Sequence, residues 1–334
     1  MKGKHKVVVK NNKLHYEFEI KRNITIIKGD SATGKTTLIN MIRQYANLGV
    51  SSGVDVVCDV PCRILEGTDW QLILQNISGY ILFTDEENAF IRTEQFASAV
   101  RDSDNYFVII TRESLYNLPY SVEEIYGIHS SGKYQNTKQV YQQLYKIYSE
   151  AEYFPIEPKC IIVEDSNSGY EFFKGATQEC SIKCESAGGK TKLYSLLCGM
   201  KEETCAIADG AAIGAEMEKL HKLSQMHRNI KLYLPESFEW IILNSGLIEG
   251  KDISEILAQP EKFIESQEYF SWERYFTRLL SQKTEGTIYK YQKSKLNQVY
   301  LHERNRKAIV DSIEGIKLTK EDLRVERTEP SDGR

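Results

Sequence analysis

The sequence predicts an α/β fold with a mostly parallel sheet, on three observations. Short apolar runs alternate with runs of helical periodicity through the first part of the chain. A glycine-rich loop stands between one such strand and one such helix. After Pro155 and Pro158 the alternation starts again from residue 160. At 334 residues the chain exceeds one ordinary core and suits two domains with a helical appendage. We expect domains over residues 1–155 and 156–258, a helical C-terminal region over 259–319, and a disordered tail over 320–334.

The opening strands are expected at residues 6–10, 14–20 and 24–28, the first two joined by the turn residues Asn11 and Asn12. A helix over residues 36–48 follows from the spacing of Leu38, Ile39, Ile42, Tyr45 and Ala46, and Gly49 stands where it should stop. Further strands are expected at 54–58, 63–65, 80–84 and 106–111, with helices near 69–76 and 93–102. A polar, tyrosine-rich stretch over 134–153 leads to the domain boundary, its end flanked by Pro155 and Pro158. In the second half, strands at 160–163, 181–184, 204–208 and 230–234 alternate with helices at 170–175, 191–198, 215–226 and 237–245.

Hydrophobic residues make up 41% and charged residues 27%, the balance of a folded, soluble chain rather than a disordered one. A net charge of -4 gives no general attraction to nucleic acid. Locally, Lys290, Lys293, Lys295, Arg304, Arg306 and Lys307 lie among Tyr289, Tyr291 and Tyr300. This is either a phosphate-contacting face with stacking aromatics or a solvated helix surface diluted by Glu303 and Asp311. No window approaches the roughly 18 apolar residues of a membrane span, and the first residues lack a signal peptide's apolar core, so no membrane and a cytoplasmic location are expected. Seven cysteines in apolar stretches read as reduced thiols. Cys58 with Cys62 and Cys180 with Cys184 are each four apart, without the two-residue spacing or nearby histidine of a zinc site.

Gly29, Asp30, Ser31, Ala32, Thr33, Gly34, Lys35 and Thr36 fit G-x-x-x-x-G-K-[ST] between a strand and a helix. Glycines let backbone N–H groups curl around phosphates, and the helix N-terminus, with Thr37 next in line, adds its positive end. Lys35 is expected on the β- and γ-phosphates and the Thr36 hydroxyl on Mg²⁺. The apolar strand ending at Thr84 delivers adjacent carboxylates: Asp85 to hold the metal through water and Glu86 to polarise an attacking water. These residues resemble P-loop ATPases with a glutamate beside the Walker B aspartate, over residues 1 to about 130, and the opening strands resemble the heads of ABC and SMC type. That resemblance implies ATP and Mg²⁺ as ligands. It also makes the polar residue ending the additional strand, here Thr111, a γ-phosphate sensor, with Arg112 beside it. The chain departs from the pattern in having no LSGGQ-like signature between the loop and Asp85, which argues against an ABC-style sandwich dimer. No N-K-x-D stretch follows to select guanine, so ATP is expected over GTP.

In the second half, Gly189-Lys190-Thr191 invites a second phosphate loop, but the first glycine of that pattern would fall on Cys184. Instead, the strand ending in Val163-Glu164, the turn Gly188-Gly189-Lys190 and the strand ending at Asp209 resemble the Toprim domain of topoisomerases, primases and OLD-type nucleases. The resemblance implies a metal at Glu164 and Asp209. The chain departs from it at Ala211, where the second acid of an Asp-x-Asp pair would stand, at Asp165 in place of a glycine, and at Ser168. Asp165, Glu216, Glu236 and Glu239 are candidate substitutes. The expected function is a Mg²⁺-dependent ATPase coupled to a Toprim-like domain acting on or sensing DNA or RNA. The alternative is a nucleotide-dependent switch that contacts a partner protein through a catalytically inactive second domain. A homo-oligomer is compatible with either.

Overall fold

The computed structural model describes residues 1–29, 34–131, 139–148, 157–178, 180–313 and 315–318. Asp30, Ser31, Ala32 and Thr33, the expected domain boundary at Pro155 and the tail from 320 onward lie outside these residues. The protein is α/β and divides into two compact units, Met1–Ser149 with Glu255–Arg274, and Glu150–Ser254 with Tyr275–Arg334.

In the first unit, β1 (His5–Lys10) and β2 (Leu14–Ile20) form an antiparallel hairpin. The side-chain oxygen of Asn11 makes its turn, accepting from the amides of Lys13 and Leu14 at 2.8 Å each. Tyr16, Phe18 and Ile20 point inward while Glu17 and Glu19 are exposed, the alternation of a strand with one wet face. β3 (Ile24–Ile27) is buried at every position, as an interior strand must be. α1 (Lys35–Leu48) buries Leu38, Ile39, Met41 and Ile42 in a cluster with Val7, Phe18, Ile27, Phe83 and Val108. There follow β4 (Asp55–Val57), β5 (Cys62–Ile64), α2 (Trp70–Gln75), β6 (Ile81–Asp85), α3 (Glu94–Arg101), β7 (Tyr106–Ile110), β8 (Ile125–Ser130) and β9 (Val140–Lys146).

These nine strands make one sheet in the order β4-β1-β2-β9-β8-β3-β7-β6-β5. The run from β8 to β5 is parallel, and β9 turns back antiparallel on β8 while lying parallel to β2. β4 and β5 end opposite edges of the sheet although only residues 58–61 separate them. At about 3.5 Å per extended residue, so short a link requires the sheet to curl and bring its edges together. The segment 255–274 joins this unit through Trp272, whose ring lies 3.5 Å beneath the Arg22 guanidinium, and through the Phe270 carbonyl, which accepts from Asn23 Nδ2 at 2.9 Å.

The second unit holds β10 (Cys160–Val163), α4 (Ser168–Thr177), β11 (Lys183–Ser186), α5 (Lys190–Leu197), β12 (Thr204–Ile207), α6 (Met217–Met226), β13 (Ile230–Tyr233) and α7 (Phe238–Asn244). Its four-stranded sheet is parallel throughout, in the order β11-β10-β12-β13. β10 and β12 are buried at every position, matching their unbroken apolar runs. Farther along the chain come α8 (Lys251–Ala258), α9 (Trp272–Thr284) and α10 (Glu303–Asp311). Among the described residues no helix is long and apolar enough to cross a membrane.

Most elements fall within a residue or two of their expected positions, with three differences of physical interest. β11 starts two residues late because Ser181 takes a left-handed φ of 44°, which a strand cannot contain. β8 and β9 lie on either side of residues 132–138, in a span where the sequence analysis places no strand. Tyr291 and Tyr300 are core residues packed edge to face, 6.2 Å apart, so they are not available as a stacking surface for bases.

Candidate functional site

Strand direction brings the expected site residues of the first unit to one edge. β3, β6, β7 and β8 run parallel, so the residues that follow them emerge on the same side, where α/β sheets bind ligands. β9 runs antiparallel to β8 and β2 runs parallel to β9, so their starts meet that same edge. A cavity of about 540 Å³ opens there. Its wall includes Gly34, Lys35, Thr36 and Thr37 from the loop and α1, Asp85, Glu86 and Glu87 after β6, and Arg112 after β7.

Gly29 and Gly34 hold φ values of 140° and 89°, which only glycine adopts without strain. Gly34 is the N-cap of α1, which has no side-chain cap and no acidic residue in its first turn. That turn thus carries no carboxylate of its own to repel an anion. Tyr16, from β2, donates its hydroxyl to the Gly34 carbonyl at 3.0 Å, and a side chain on Gly34 would meet that hydroxyl at 3.0 Å. Burial pushes the Tyr16 hydroxyl up to about 12, so it remains a donor throughout the neutral range. Lys35 is buried and donates its ammonium to the Gly29 carbonyl, folded back onto the loop it belongs to.

Across the cavity, Asp85 Oδ1 accepts from the Glu87 amide at 3.2 Å and from Asn88 Nδ2 at 3.0 Å. Burial, reinforced by the neighbouring Glu87 charge, lifts the Asp85 carboxyl above its usual range. A cation beside such a carboxylate stabilises its charged form. Glu86 is fixed from one side: its Oε2 accepts from the Arg112 amide at 2.7 Å and its Oε1 lies 3.1 Å from Arg112 Nε. Arg112, whose sequence position suits a functional group and an ordinary surface residue equally, is thus the partner of Glu86. Thr111 does not line the cavity. It is buried, and its hydroxyl is engaged with the backbone of Glu113, accepting from N at 3.1 Å and donating to O at 3.3 Å. Tyr16 and the far wall of the cavity, formed by Leu14, Ile128, Ser130 and Gln142, carried no motif that sequence could register.

In the second unit the strand order reverses between β10 and β12; Glu164 follows β10 directly and Asp209 follows β12 after Ala208. The structure brings them together: the Asp209 amide donates to Glu164 Oε2 at 3.2 Å. Asp165 lies in the same crevice, its Oδ1 accepting from the Tyr170 amide at 3.2 Å, with burial raising its carboxyl above the ordinary range. The crevice measures about 20 Å³. Two further candidate acids are committed elsewhere: Glu216 to Lys219, and Glu239 to the Tyr291 hydroxyl at 2.7 Å, itself 2.6 Å from Ser168 Oγ. Among the described residues no three His, Cys, Asp or Glu side chains are grouped to hold a metal ion. Lys190, in the glycine turn, donates to the Ala212 carbonyl at 3.3 Å. Neither a family model nor a curated protein matches the chain.

Proposed function

We propose that the first unit is a P-loop ATPase domain of the glutamate-containing class and that the second is a Toprim-like domain through which ATP turnover acts on or senses nucleic acid. The observation that carries this reading is the one cavity wall that joins Gly34, Lys35, Thr36 and Thr37 to Asp85, Glu86 and Arg112. The sheet order supports it too, because β7 stands between the loop-bearing β3 and the acid-bearing β6, as the additional strand of that class does.

On this reading the first-turn amides of α1 and the Lys35 ammonium bind the phosphates, with Lys35 exchanging the Gly29 carbonyl for phosphate oxygens. Thr36 and Asp85 are the residues that would hold Mg²⁺, and the lifted Asp85 carboxyl fits a cation site. The ion would neutralise charge on the phosphate oxygens. Glu86, held by the Arg112 amide and guanidinium, orients the attacking water and takes its proton. Arg112 is a positioning residue for that carboxylate.

The test is ATP turnover by the purified protein beside Lys35→Ala and Glu86→Gln, with and without DNA or RNA. Turnover stimulated by nucleic acid and lost in both variants is the expected result. ATP binding without turnover under every condition would select a second reading, a nucleotide-dependent switch with an inactive second unit. Ala211 at the expected acid position favours that reading.

A further inference from the structure

The phosphate-binding reading accounts for only one end of the 540 Å³ cavity. The other end is built by three adjacent strands, and their register fixes what it presents. Tyr16 of β2 pairs with Gln142 of β9, and Gln142 pairs with Ser130 of β8. Residues directly opposite one another in a sheet share a face, so these three side chains form one row. Leu14 and Ile128 lie two residues along their strands from Tyr16 and Ser130, hence on the same face, and both line the cavity. The row begins at the phosphate loop, because the Tyr16 hydroxyl holds the Gly34 carbonyl. Next to Tyr16 it carries a polar pair beside two aliphatic side chains, all lining the same cavity.

Resting on the ATPase reading, we propose that this wall is the base-recognition site and that the Gln142–Ser130 pair selects adenine over guanine. Gln142 Nε2 donates to Ser130 Oγ at 3.0 Å. That bond fixes the amide's orientation: its nitrogen is turned toward serine, its carbonyl oxygen remains an acceptor, and the serine hydroxyl, having accepted, retains a proton to donate. An acceptor next to a donor is the complement of adenine's edge, an exocyclic N–H₂ beside a ring nitrogen. Guanine carries a carbonyl oxygen at the exocyclic position, which would meet the Gln142 oxygen lone pair to lone pair. Leu14 and Ile128 supply apolar surface for the ring face, as nucleotide pockets do around a few placed polar groups.

The experiment measures the affinities of ATP, GTP and inorganic tripolyphosphate for the wild type, Gln142→Leu, Gln142→Glu and Ser130→Ala by calorimetry. Tripolyphosphate reports the phosphate end alone, and its unchanged affinity also certifies that each variant is folded. The expected wild type prefers ATP to GTP by about tenfold or more, the worth of one hydrogen bond and its mismatch. Gln142→Leu abolishes that preference, Gln142→Glu retains it because it keeps the acceptor, and Ser130→Ala reduces it because the amide can then turn. A wild-type preference that Gln142→Leu leaves intact, with tripolyphosphate still bound, overturns the base-site proposal and leaves the phosphate reading standing. Failure of the wild type to bind any of the three ligands overturns both.

Discussion

The two units use the same edge of a parallel sheet to opposite effect. After β3, β7 and β6 the first unit gathers Lys35, Arg112, Asp85 and Glu86, charges of both signs, around about 540 Å³. After β10 and β12 the second gathers Glu164, Asp165 and Asp209, all acidic, around about 20 Å³. A site for a nucleotide-sized ligand occupies some hundreds of Å³. The first edge has the room for a triphosphate, with cations on its wall; the crevice of the second has space for a water or an ion. Strand order places both sites, but glycine geometry and side-chain charge decide what each can take. Gly34 caps a helix whose first turn carries no acidic residue, whereas the amide of Gly189 donates to the Glu164 carbonyl at 2.8 Å.

The sharpest way to break this comparison is to remove the corresponding lysine from each glycine turn. Lys35→Ala should weaken ATP binding by about 100-fold or more, since two charge-assisted hydrogen bonds to phosphate are worth about 1.5–3 kcal/mol each. Lys190→Ala should leave it within about twofold, because Lys190 serves the Ala212 carbonyl of its own unit. Calorimetric titration of both variants decides the matter. If Lys190→Ala weakens ATP binding as strongly, the second edge is a nucleotide site and the contrast fails.

Each unit also buries a glutamate, with partners of different kind. Glu124, fully buried in the first unit, lies 3.4 Å from Arg22 Nε; burial lifts its carboxyl while Arg22 and Lys21 oppose the lift. Glu239 in the second unit accepts from the neutral Tyr291 hydroxyl. Glu124→Ala leaves the Arg22 charge buried against the Trp272 ring without its carboxylate, and should cost about 3–5 kcal/mol. Tyr291→Phe leaves one carboxylate oxygen of Glu239 short of a donor and should cost about 1–3 kcal/mol. Urea unfolding of each variant beside the wild type measures both. Equal losses would mean that charge pairing contributes no more than a neutral hydrogen bond in this protein.

The difference between the edges was partly legible in the sequence. The glycine loop, Lys35, Thr36, Asp85 and Glu86 occupy consecutive or adjacent positions, so local pattern carried them, as it did the buried runs of β10 and β12. The far wall was not legible. β9 reads Val-Tyr-Gln-Gln-Leu-Tyr-Lys and is half-exposed or exposed along its whole length. Its stability comes from ladders with β2 and β8 rather than from an apolar face, so it lacks the periodicity that sequence analysis detects. Thr111 shows the converse limit. Strand position suggested a sensor, but the turn after β7 draws its hydroxyl onto Glu113 and turns Arg112 toward Glu86 instead. Which of two neighbours faces a cavity depends on a backbone turn that residue types do not specify.

The smallest expected effect comes from a surface ion pair of the second unit, the counterpart of the buried Arg22–Glu124 pair in the first. Lys283 Nζ on α9 donates to Asp252 Oδ2 on α8 at 2.5 Å, and this hydrogen bond holds the Asp252 carboxyl below its ordinary value of 3.8, with slight burial acting the other way. A carboxyl whose folded value lies below its unfolded one contributes stability above the unfolded value. That contribution disappears as pH falls through the folded value, when both states are protonated. Asp252 is half-exposed, so solvent screening limits the pair to about 0.5 kcal/mol. Lys283→Ala should therefore lower stability by about that much at pH 7, by nothing measurable near pH 2, and by nothing in about 1 M salt, where the screening length shrinks to about 3 Å. A loss that persisted at low pH and high salt would show that the lysine stem packs α8 against α9 apart from its charge. Surface pairing in the second unit would then resemble the packed Arg22–Trp272 contact of the first rather than contrast with it.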